Sequence, residues 1–513
     1  MWGIDRLSAG ELGNTRRRLR NSAVALLSQA SAVDRRGKPV LDVLEELGVR
    51  PVRIFAGEHG FDGVAQAEEA VASIVPPRRE IDASQRLAIV EPPPTPQSDV
   101  SLTLPSEAEA SFDDRRSSNG IASEGVLHGA LASDDFRGER FGEGGADERS
   151  ASEEGPGEGF RSEPFSEDAP LRGDFVDEGA RSEAGPSSLP PEIISLYGGD
   201  KASLAPRPEH FAGIDVLLID LMDVGSRYYT FVWTALLAAR AAVQAGVHVL
   251  VLDRPNPISG DPGSVEGAPQ KPGFTSFVGL ESVPIRHALT VGEMLVHFFA
   301  RDGHPLGPDG ALSLISPRGW ERHRTAHAWG RPFVAPSPNM PSAETALVYP
   351  GGCLVEGTNL SEGRGTTLPF QTVGAPFLNG RALARALVDA RLPGVMIRPH
   401  SFRPSFEKHA GQLCHGVVLH VTDPRAFRPV TTYLTLLSLA RAQAPDAFEF
   451  LTRTYEFESE RLAFDLLTGS DAARNAILAG AAPNDVCELV APVGPEWQEV
   501  LRDIESLVAK AHA

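Results

Sequence analysis

A polar loop at residues 356–367 carries the densest group of side chains that could do chemistry. It reads Glu-Gly-Thr-Asn-Leu-Ser-Glu-Gly-Arg-Gly-Thr-Thr, with two carboxylates, one guanidinium, four hydroxyls, one amide and three glycines. Glycine permits positive φ angles and a close approach of the backbone to a ligand. Short polar side chains in such a loop suit the recognition of a ligand that is itself rich in hydroxyl groups. The alternative is a solvated turn, because surface turns also use Gly, Ser and Thr.

More charged and aromatic side chains follow three apolar runs that have the length of buried strands. They are Glu58 and His59 after the first run, Asp220, Asp223, Arg227, Tyr228 and Tyr229 after the second, and Asp253, Arg254 and Asn256 after the third. Open parallel sheets bind ligands beyond the carboxyl ends of their strands. We therefore predict that these side chains converge at one edge of a sheet. For Asp220 and Asp253 the alternative is capping of the helix that follows.

The elements that would position these side chains alternate between strand and helix. Apolar runs predict strands at 23–27, 51–56, 214–219 and 247–252, and helices are predicted around 40–47 and over 230–245, the latter ended by Gly246. Strands that are apolar along their whole length are typical of a parallel sheet buried on both faces. The first domain is therefore predicted to be doubly wound α/β.

The chain from residue 265 onward predicts a smaller α+β domain. Helices are expected at 290–299 and 382–390, and strands at 395–398 and 417–421. Prolines on both sides of Asn339 would fix this amide rigidly, as a residue that orients a ligand requires. The alternative for this segment is a stiff linker.

An acidic, low-complexity segment interrupts the first domain. Residues 101–190 hold 21 Asp and Glu against 8 Arg and no Lys, which accounts for 13 of the 20 net negative charges of the chain. Such a composition buries too little apolar surface to offset the entropy of ordering. We predict a disordered insertion at 78–190, with an acidic docking arm as the alternative, between domain ranges 1–77 with 191–264 and 265–513.

Composition excludes several other classes of protein. A net charge of −20 argues against nucleic acid as a partner. Three widely separated cysteines, Cys353, Cys414 and Cys487, indicate neither a disulfide framework nor a zinc site, so no metal and no cofactor are predicted. No secretory signal and no apolar run of membrane-spanning length is visible, and the default expectation is a cytoplasmic protein.

Six motifs together resemble the NamZ-type exo-β-N-acetylmuramidase family. They are Glu58–Phe61, Ser195–Gly198, Asp223–Thr230, Asp253–Pro257, Ser337–Pro341 and Glu356–Thr367, in the order of that family. The resemblance implies a Rossmann-like domain and a smaller C-terminal domain with the active site in the cleft between them. It also implies release of N-acetylmuramic acid from the non-reducing ends of peptidoglycan fragments, in cell-wall turnover or recycling. The chain departs from the family pattern at Asp62, where Arg is common, and at Ser28-Gln29.

Glycoside hydrolysis generally requires one carboxylic acid and a second carboxylate across the sugar. We expect Glu58, tuned by His59, to be the acid, and its partner to be Glu362 before Asp223 and Glu356. The predicted substrate contacts are Arg227 and Arg364 to the lactyl carboxylate, Tyr228 or Tyr229 to the sugar ring, Asn339 and Asn359 to hydroxyl or acetamido groups, and Thr366, Asp253, Arg254 and Asn256 as further polar contacts. For Arg227 the alternative is an ion pair with Asp223, four residues earlier.

Two alternatives belong to other functional classes. One is a catalytically silent protein that binds muropeptides in the same cleft. The other is a nucleotide-binding enzyme, which is disfavoured because no Gly-x-Gly-x-x-Gly follows the first strand and no phosphate-binding lysine loop occurs.

Overall fold

The apolar runs of the first domain form a six-stranded, all-parallel sheet in the computed structural model, which describes residues 1–61, 191–198, 200–491 and 493–513. The strands are β1 (Val24–Ser28), β2 (Arg53–Ala56), β3 (Glu192–Ser195), β4 (Val216–Asp220), β5 (His248–Leu252) and β6 (Leu312–Ile315). Their order is β3-β2-β1-β4-β5-β6, which is the doubly wound order of Rossmann-like sheets. The predicted fold class is therefore confirmed.

Both faces of this sheet are buried, because successive side chains of each strand point to opposite faces. In β1, Ala25 and Leu27 belong to the larger apolar core, whereas Val24 and Leu26 belong to a smaller core on the opposite face. A strand with an apolar environment on both sides has no polar alternation. This is why the four strands that the sequence predicted were visible as short continuous apolar runs.

Helices cover the two faces and build the second domain. Among the described residues they are α1 (Gly3–Ser8), α2 (Gly13–Arg20), α3 (Val40–Glu46), α4 (Phe231–Gln244), α5 (Val291–Arg301), α6 (Ala343–Gly352), α7 (Gly380–Asp389), α8 (Pro429–Gln443), α9 (Ala463–Thr468), α10 (Ala472–Leu478), α11 (Pro483–Val490) and α12 (Pro495–Ala511). Helices α1 and α3 supply the smaller core, and α4 and α5 pack in the larger one.

A second, antiparallel sheet forms the smaller part of the protein. It consists of β7 (Thr372–Ala375), β9 (Cys414–Val421) and β8 (Val395–Phe402), in that order. Its buried residues, such as Val373 and Val417, belong to the same apolar core as α4 and α5. One continuous core therefore runs from the parallel sheet into the antiparallel one, and it holds the two parts in a fixed relation.

The structure extends the parallel sheet beyond the predicted domain boundary. Strand β6 comes from the range 265–513, which the sequence assigned to the second domain, and it pairs with β5. The rest of the predicted division stays a prediction, and the expected disordered insertion at 78–190 lies outside the described residues.

Asp253, directly after β5, shows how the sheet edge is joined to its helices. Its carboxyl group accepts hydrogen bonds from the Thr290 hydroxyl at 2.7 Å and from the Gly292 amide at 2.9 Å, at the start of α5. It is therefore a helix-capping residue, as in the alternative given above. Burial, together with the charge of Glu293, raises the pKa of Asp253 to about 7.

This raised pKa predicts a pH-dependent stability. The protonated form of Asp253 stabilises the fold fully below its ordinary pKa of 3.8, and this contribution is lost as the pH rises through about 7. Between about pH 4 and about pH 8, the free energy of unfolding of the wild type should therefore fall by about 2–4 kcal/mol more than that of Asp253→Asn. Urea unfolding of both proteins at the two pH values measures the difference. Equal pH dependence would contradict a buried, titrating Asp253.

Candidate active site

A pocket opens where the end of β2, the segment between β4 and α4, and the polar loop 356–367 meet. Its volume is about 770 Å³ when the open solvent at its mouth is included. It is lined by Glu58, His59, Tyr228, Tyr229, Thr230, Val278, Ser337, Asn339, Met340, Tyr349, Glu356, Glu362, Arg364, Phe370, Glu407, Lys408, Arg453, Tyr455 and Glu456. The strand-end residues and the polar loop thus share one site.

Glu58 lies two residues beyond β2 and is 7% exposed. Its Oε2 accepts a hydrogen bond of 2.7 Å from the hydroxyl of Thr230, the residue directly before α4. A neutral hydroxyl fixes the direction of the carboxyl group without adding a full charge beside it. Glu58 is therefore oriented at the pocket wall by its neighbour.

Glu362 has the opposite surroundings. It is 3% exposed, and its oxygens lie 2.7 Å from Nζ of Lys408 and 3.3 Å from Nε of Arg364. Burial alone would raise its pKa, but the charges of Lys408 and Arg364 outweigh burial and hold the pKa of Glu362 below its ordinary value. Glu362 is therefore an ionised carboxylate at neutral pH.

The two cations beside Glu362 are themselves held by further groups. Arg364 donates from Nη2 to Glu356 at 2.7 Å, and the hydroxyl of Tyr455 donates to the other oxygen of Glu356 at 2.6 Å. Burial would lower the pKa of Arg364, but the charges of Glu356 and Glu362 raise it. The result is a linked network of charges, anchored on three segments of the second domain.

Lys408 completes this network from the connection between β8 and β9. Its ammonium group donates to the carbonyls of Val355 and Thr358, each at 3.0 Å, and lies against Glu362. The ammonium group of Lys408 is thereby surrounded by two carbonyl oxygens and one carboxylate. Gly365 allows the loop to approach this connection, because a Cβ atom there would lie 2.7 Å from the Ser405 amide nitrogen.

A strained turn brings Glu456 to the pocket. Tyr455 and Glu458 exchange both backbone hydrogen bonds at 2.9 Å, and the two central residues, Glu456 and Phe457, have φ angles of 47° and 64°. Such a turn normally requires Asn or Gly at these positions. Tyr197, two residues after β3, holds it by donating to Glu456 at 2.8 Å and by ring contact with Phe457. The Ser195–Gly198 motif therefore positions the turn that carries Glu456.

Eight of the predicted site residues line the pocket. They are Glu58, Glu362, His59, Tyr228, Tyr229, Asn339, Glu356 and Arg364. The two tyrosine rings form a wall rather than a free platform, because Tyr229 packs edge-on against Phe231 and Tyr349, at centroid distances of 4.9 and 5.9 Å. Burial raises the pKa of both tyrosine hydroxyls, so they are neutral.

The structure places Arg227 outside the pocket lining, which does not favour the predicted contact with a substrate carboxylate. Its side chain is fully buried and donates to the backbone carbonyls of Ala268, Val283 and Leu467, at 2.6–2.8 Å. The alternative, an ion pair with Asp223, is also not what the structure shows. Arg227 instead cross-links loops behind the pocket.

Asp223 also lies outside the pocket lining. One of its oxygens accepts from the Gly225 amide at 2.6 Å and lies 4.0 Å from Nε2 of His287. Burial raises the pKa of Asp223 to about 7 and lowers that of His287 to about 3. Because Glu362 lines the pocket and Asp223 does not, Glu362 is the candidate partner of Glu58.

The residues after β5, predicted to contact substrate, all bond other parts of the protein in the structure. Arg254 makes a two-pronged ion pair with buried Asp220, at 2.5 and 2.9 Å, and Asn256 bonds the Leu289 carbonyl at 2.9 Å. Asp253 accepts hydrogen bonds from the start of α5. The polar groups at this part of the sheet edge are therefore hydrogen-bonded within the protein. None of the three lines the pocket.

Two residues of the polar loop are likewise structural. Asn359 bonds the backbone of Ala447 and Glu449, at 2.8 and 3.0 Å, and the hydroxyl of Thr366 closes a turn onto the carbonyl of Gly363 at 2.6 Å. Neither side chain lines the pocket, and the substrate contacts predicted at these two positions stay predictions. The loop 356–367 therefore contains both a structural turn and side chains that line the pocket.

Several pocket residues were not predicted from the sequence. Lys408, Arg453, Tyr455 and Glu456 come from connections that show no local motif. One signal was available for Lys408, because the chain has only five lysines and uses arginine at almost every other cationic position.

The bond that holds the strained turn is open to test. Tyr197→Phe keeps the ring but removes the donor to Glu456, and we expect it to lower the free energy of unfolding by about 1–3 kcal/mol. Denaturant unfolding measures the change. Glu456→Gln should cost less in the Tyr197→Phe background than in the wild type; equal costs in both backgrounds would contradict the coupling.

Two negative findings concern the residues that the structure describes. No group of three or more His, Cys, Asp or Glu side chains that could hold a metal ion occurs there. Nor does any helix in the described ranges have the length and apolar character needed to cross a membrane.

Comparisons with known proteins agree with this architecture. Two solved structures of DUF1343 family proteins from Bacteroides fragilis NCTC 9343 match with TM-scores of 0.63 and 0.54. They are 21% and 19% identical to this chain, and each match covers 98% of this chain and 97% of the other. At such identity, they establish a shared fold.

Sequence comparisons identify the family. Peptidoglycan beta-N-acetylmuramidase NamZ of Bacillus subtilis (strain 168) is 40% identical over 294 residues, which are 57% of this chain and 67% of that protein. The models of the N-terminal and C-terminal domains of the family described as exo-beta-N-acetylmuramidase NamZ match residues 165–344 and 347–504. Glu58 and His59 precede both matched ranges. Together with the sheet order and the placement of the motifs, these matches show that the chain belongs to the NamZ family.

Proposed function

We propose that this protein is a glycosidase, an exo-β-N-acetylmuramidase that releases N-acetylmuramic acid from the non-reducing ends of peptidoglycan fragments in cell-wall turnover. The family membership supports the reaction class. The observation that carries the proposal is the presence of Glu58 and Glu362 in one pocket with contrasting surroundings. The cytoplasmic location inferred from the sequence stays a prediction.

Glu58 serves as the general acid. Its carboxyl group donates a proton to the glycosidic oxygen as the bond to the anomeric carbon breaks, and the leaving sugar departs as an alcohol. The hydroxyl of Thr230 holds this carboxyl group in place at the pocket wall. His59, adjacent in the chain and also in the pocket, lies beside this proton transfer.

Glu362 is the carboxylate that acts at the anomeric carbon. Lys408 and Arg364 keep it ionised, which both possible roles require: attack on the anomeric carbon in a retaining reaction, or removal of a proton from water in an inverting one. Glu356 accepts hydrogen bonds from Arg364 and Tyr455 at its two oxygens. Its place is to hold Arg364 in position.

The first test is turnover. The protein should release nitrophenol from 4-nitrophenyl N-acetyl-β-muraminide faster than from the matching glucosaminide. Turnover of neither by folded protein would contradict the proposal. Calorimetric binding of muropeptides without turnover would instead identify a catalytically silent sugar-binding protein.

Glu58→Gln tests the acid. The amide keeps the shape and the bond to Thr230 but cannot donate a catalytic proton, so kcat should fall by about three orders of magnitude. Glu209→Gln, at an exposed glutamate outside the pocket, is the matched control and should retain wild-type turnover. Retained activity in Glu58→Gln would move the acid to another residue.

Glu362→Gln tests the ionised partner and carries a stability signature. It leaves two buried cations without their shared anion, and we expect a loss of about 3–5 kcal/mol at neutral pH together with a loss of turnover. Because the pKa of Glu362 is depressed in the folded protein, this stabilisation is present above its ordinary value of 4.5 and is lost as the pH falls through the depressed pKa. Denaturant unfolding should therefore show a difference between the two proteins that shrinks in acid. A difference that is independent of pH would contradict the charge pairing.

A further inference from the structure

The cationic residues of the pocket differ in what already neutralises them. Lys408 donates hydrogen bonds to two carbonyls and forms an ion pair with Glu362. Arg364 lies between Glu356 and Glu362, so two carboxylates surround its single charge. These two residues hold the site together, and neither has net charge to offer to a ligand.

Arg453 is different from both. It lines the same pocket but is exposed, and within the described part of the chain it takes part in no ion pair or hydrogen bond. Its backbone is nevertheless fixed, because the Leu451 amide bonds the Gly357 carbonyl at 3.0 Å and Tyr455 is tied to Glu458 and Glu356. Arg453 therefore presents an uncompensated guanidinium from an anchored segment.

The charges around the pocket make this position significant. Five glutamates line it: Glu58, Glu356, Glu362, Glu407 and Glu456. A ligand carboxylate would be repelled from most of this surface, because like charges at short range are unfavourable. It would be favoured beside a cation that no protein carboxylate has neutralised. A guanidinium also matches a carboxylate with two parallel N–H bonds.

We propose that Arg453 is the specificity-determining residue of the site and binds the lactyl carboxylate of the terminal muramoyl sugar. This inference rests on the proposed function, since it is the lactyl carboxylate that distinguishes the muraminide from the glucosaminide. It reassigns to Arg453 the role that the sequence suggested for Arg227 and Arg364. Arg364 keeps its place in the charge network.

The experiment compares an anionic substrate with its neutral counterpart. The substrates are 4-nitrophenyl N-acetyl-β-muraminide and the methyl ester of its lactyl group, and the proteins are wild type, Arg453→Ala, Arg453→Lys and Arg17→Ala. Arg17, an exposed arginine on α2 outside the pocket, is the matched control. Wild type and Arg17→Ala should prefer the acid over the ester in kcat/KM by about 10–100-fold.

Arg453→Ala should bring this preference close to one, chiefly through kcat/KM on the acid, and Arg453→Lys should give an intermediate value, because an ammonium group keeps the charge but not the two-pronged geometry. The preference of the wild type for the acid should also decline with added salt, because salt screens the attraction between the guanidinium and the carboxylate. An undiminished preference in Arg453→Ala would overturn the inference while leaving the muramidase proposal intact.

Failure of the proposed function gives a different result. If the wild type turns over neither substrate, calorimetry with free N-acetylmuramic acid and N-acetylglucosamine still tests Arg453. Tighter binding of the acidic sugar that is lost in Arg453→Ala would support the contact in a non-catalytic protein. Equal binding by wild type and Arg453→Ala would overturn it.

Discussion

The buried charge network around Glu362 is the interaction on which the site depends. Two glutamates, one arginine and one lysine lie within a few ångströms of one another, and they come from the polar loop and from the connection between β8 and β9. Burying any one of these charges alone would cost several kcal/mol, and only the complete set makes the burial tolerable. The network therefore fixes the loop, the connection and, through Tyr455, the turn that carries Glu456, as one unit.

In this arrangement, the residues that hold the site together differ from the residue proposed as the acid. Charges that are fully matched, such as Lys408 and Arg364, contribute rigidity and keep Glu362 ionised. Glu58 comes from the end of β2 in the parallel sheet and is oriented by the hydroxyl of Thr230. One continuous apolar core extends from the parallel sheet to β7 and β9 and fixes the position of Glu58 relative to Glu362. Glu58 and Glu362 thus have different neighbouring groups, although both line one pocket.

The sequence was most informative where a single physical rule dominated. Four parallel strands were visible because burial on both faces demands apolar residues at every position. Glu58 stood out because a carboxylate directly after a buried strand is costly to place, and Glu362 stood out because it lies in a loop made almost entirely of polar residues and glycine. The convergence of strand ends was right as geometry, yet Arg254 and Asn256 proved structural. Polar groups crowded at a sheet edge satisfy one another first, and sequence spacing does not show which of them remains for a ligand.

What the sequence could not reveal were contacts between distant segments. Lys408 and Tyr197 act on residues 46 and 259 positions away, at Glu362 and Glu456, and no local pattern marks either pair. The turn at Glu456–Phe457 even runs against local preference, since two non-glycine residues hold positive φ angles where Asn-Gly would be cheaper. Local propensity fails there because the tertiary bonds from Tyr197 and Tyr455 outweigh it. An Asn-Gly turn would relieve the strain but would remove a carboxyl group from the pocket wall, so the strained choice is understandable only in terms of the pocket.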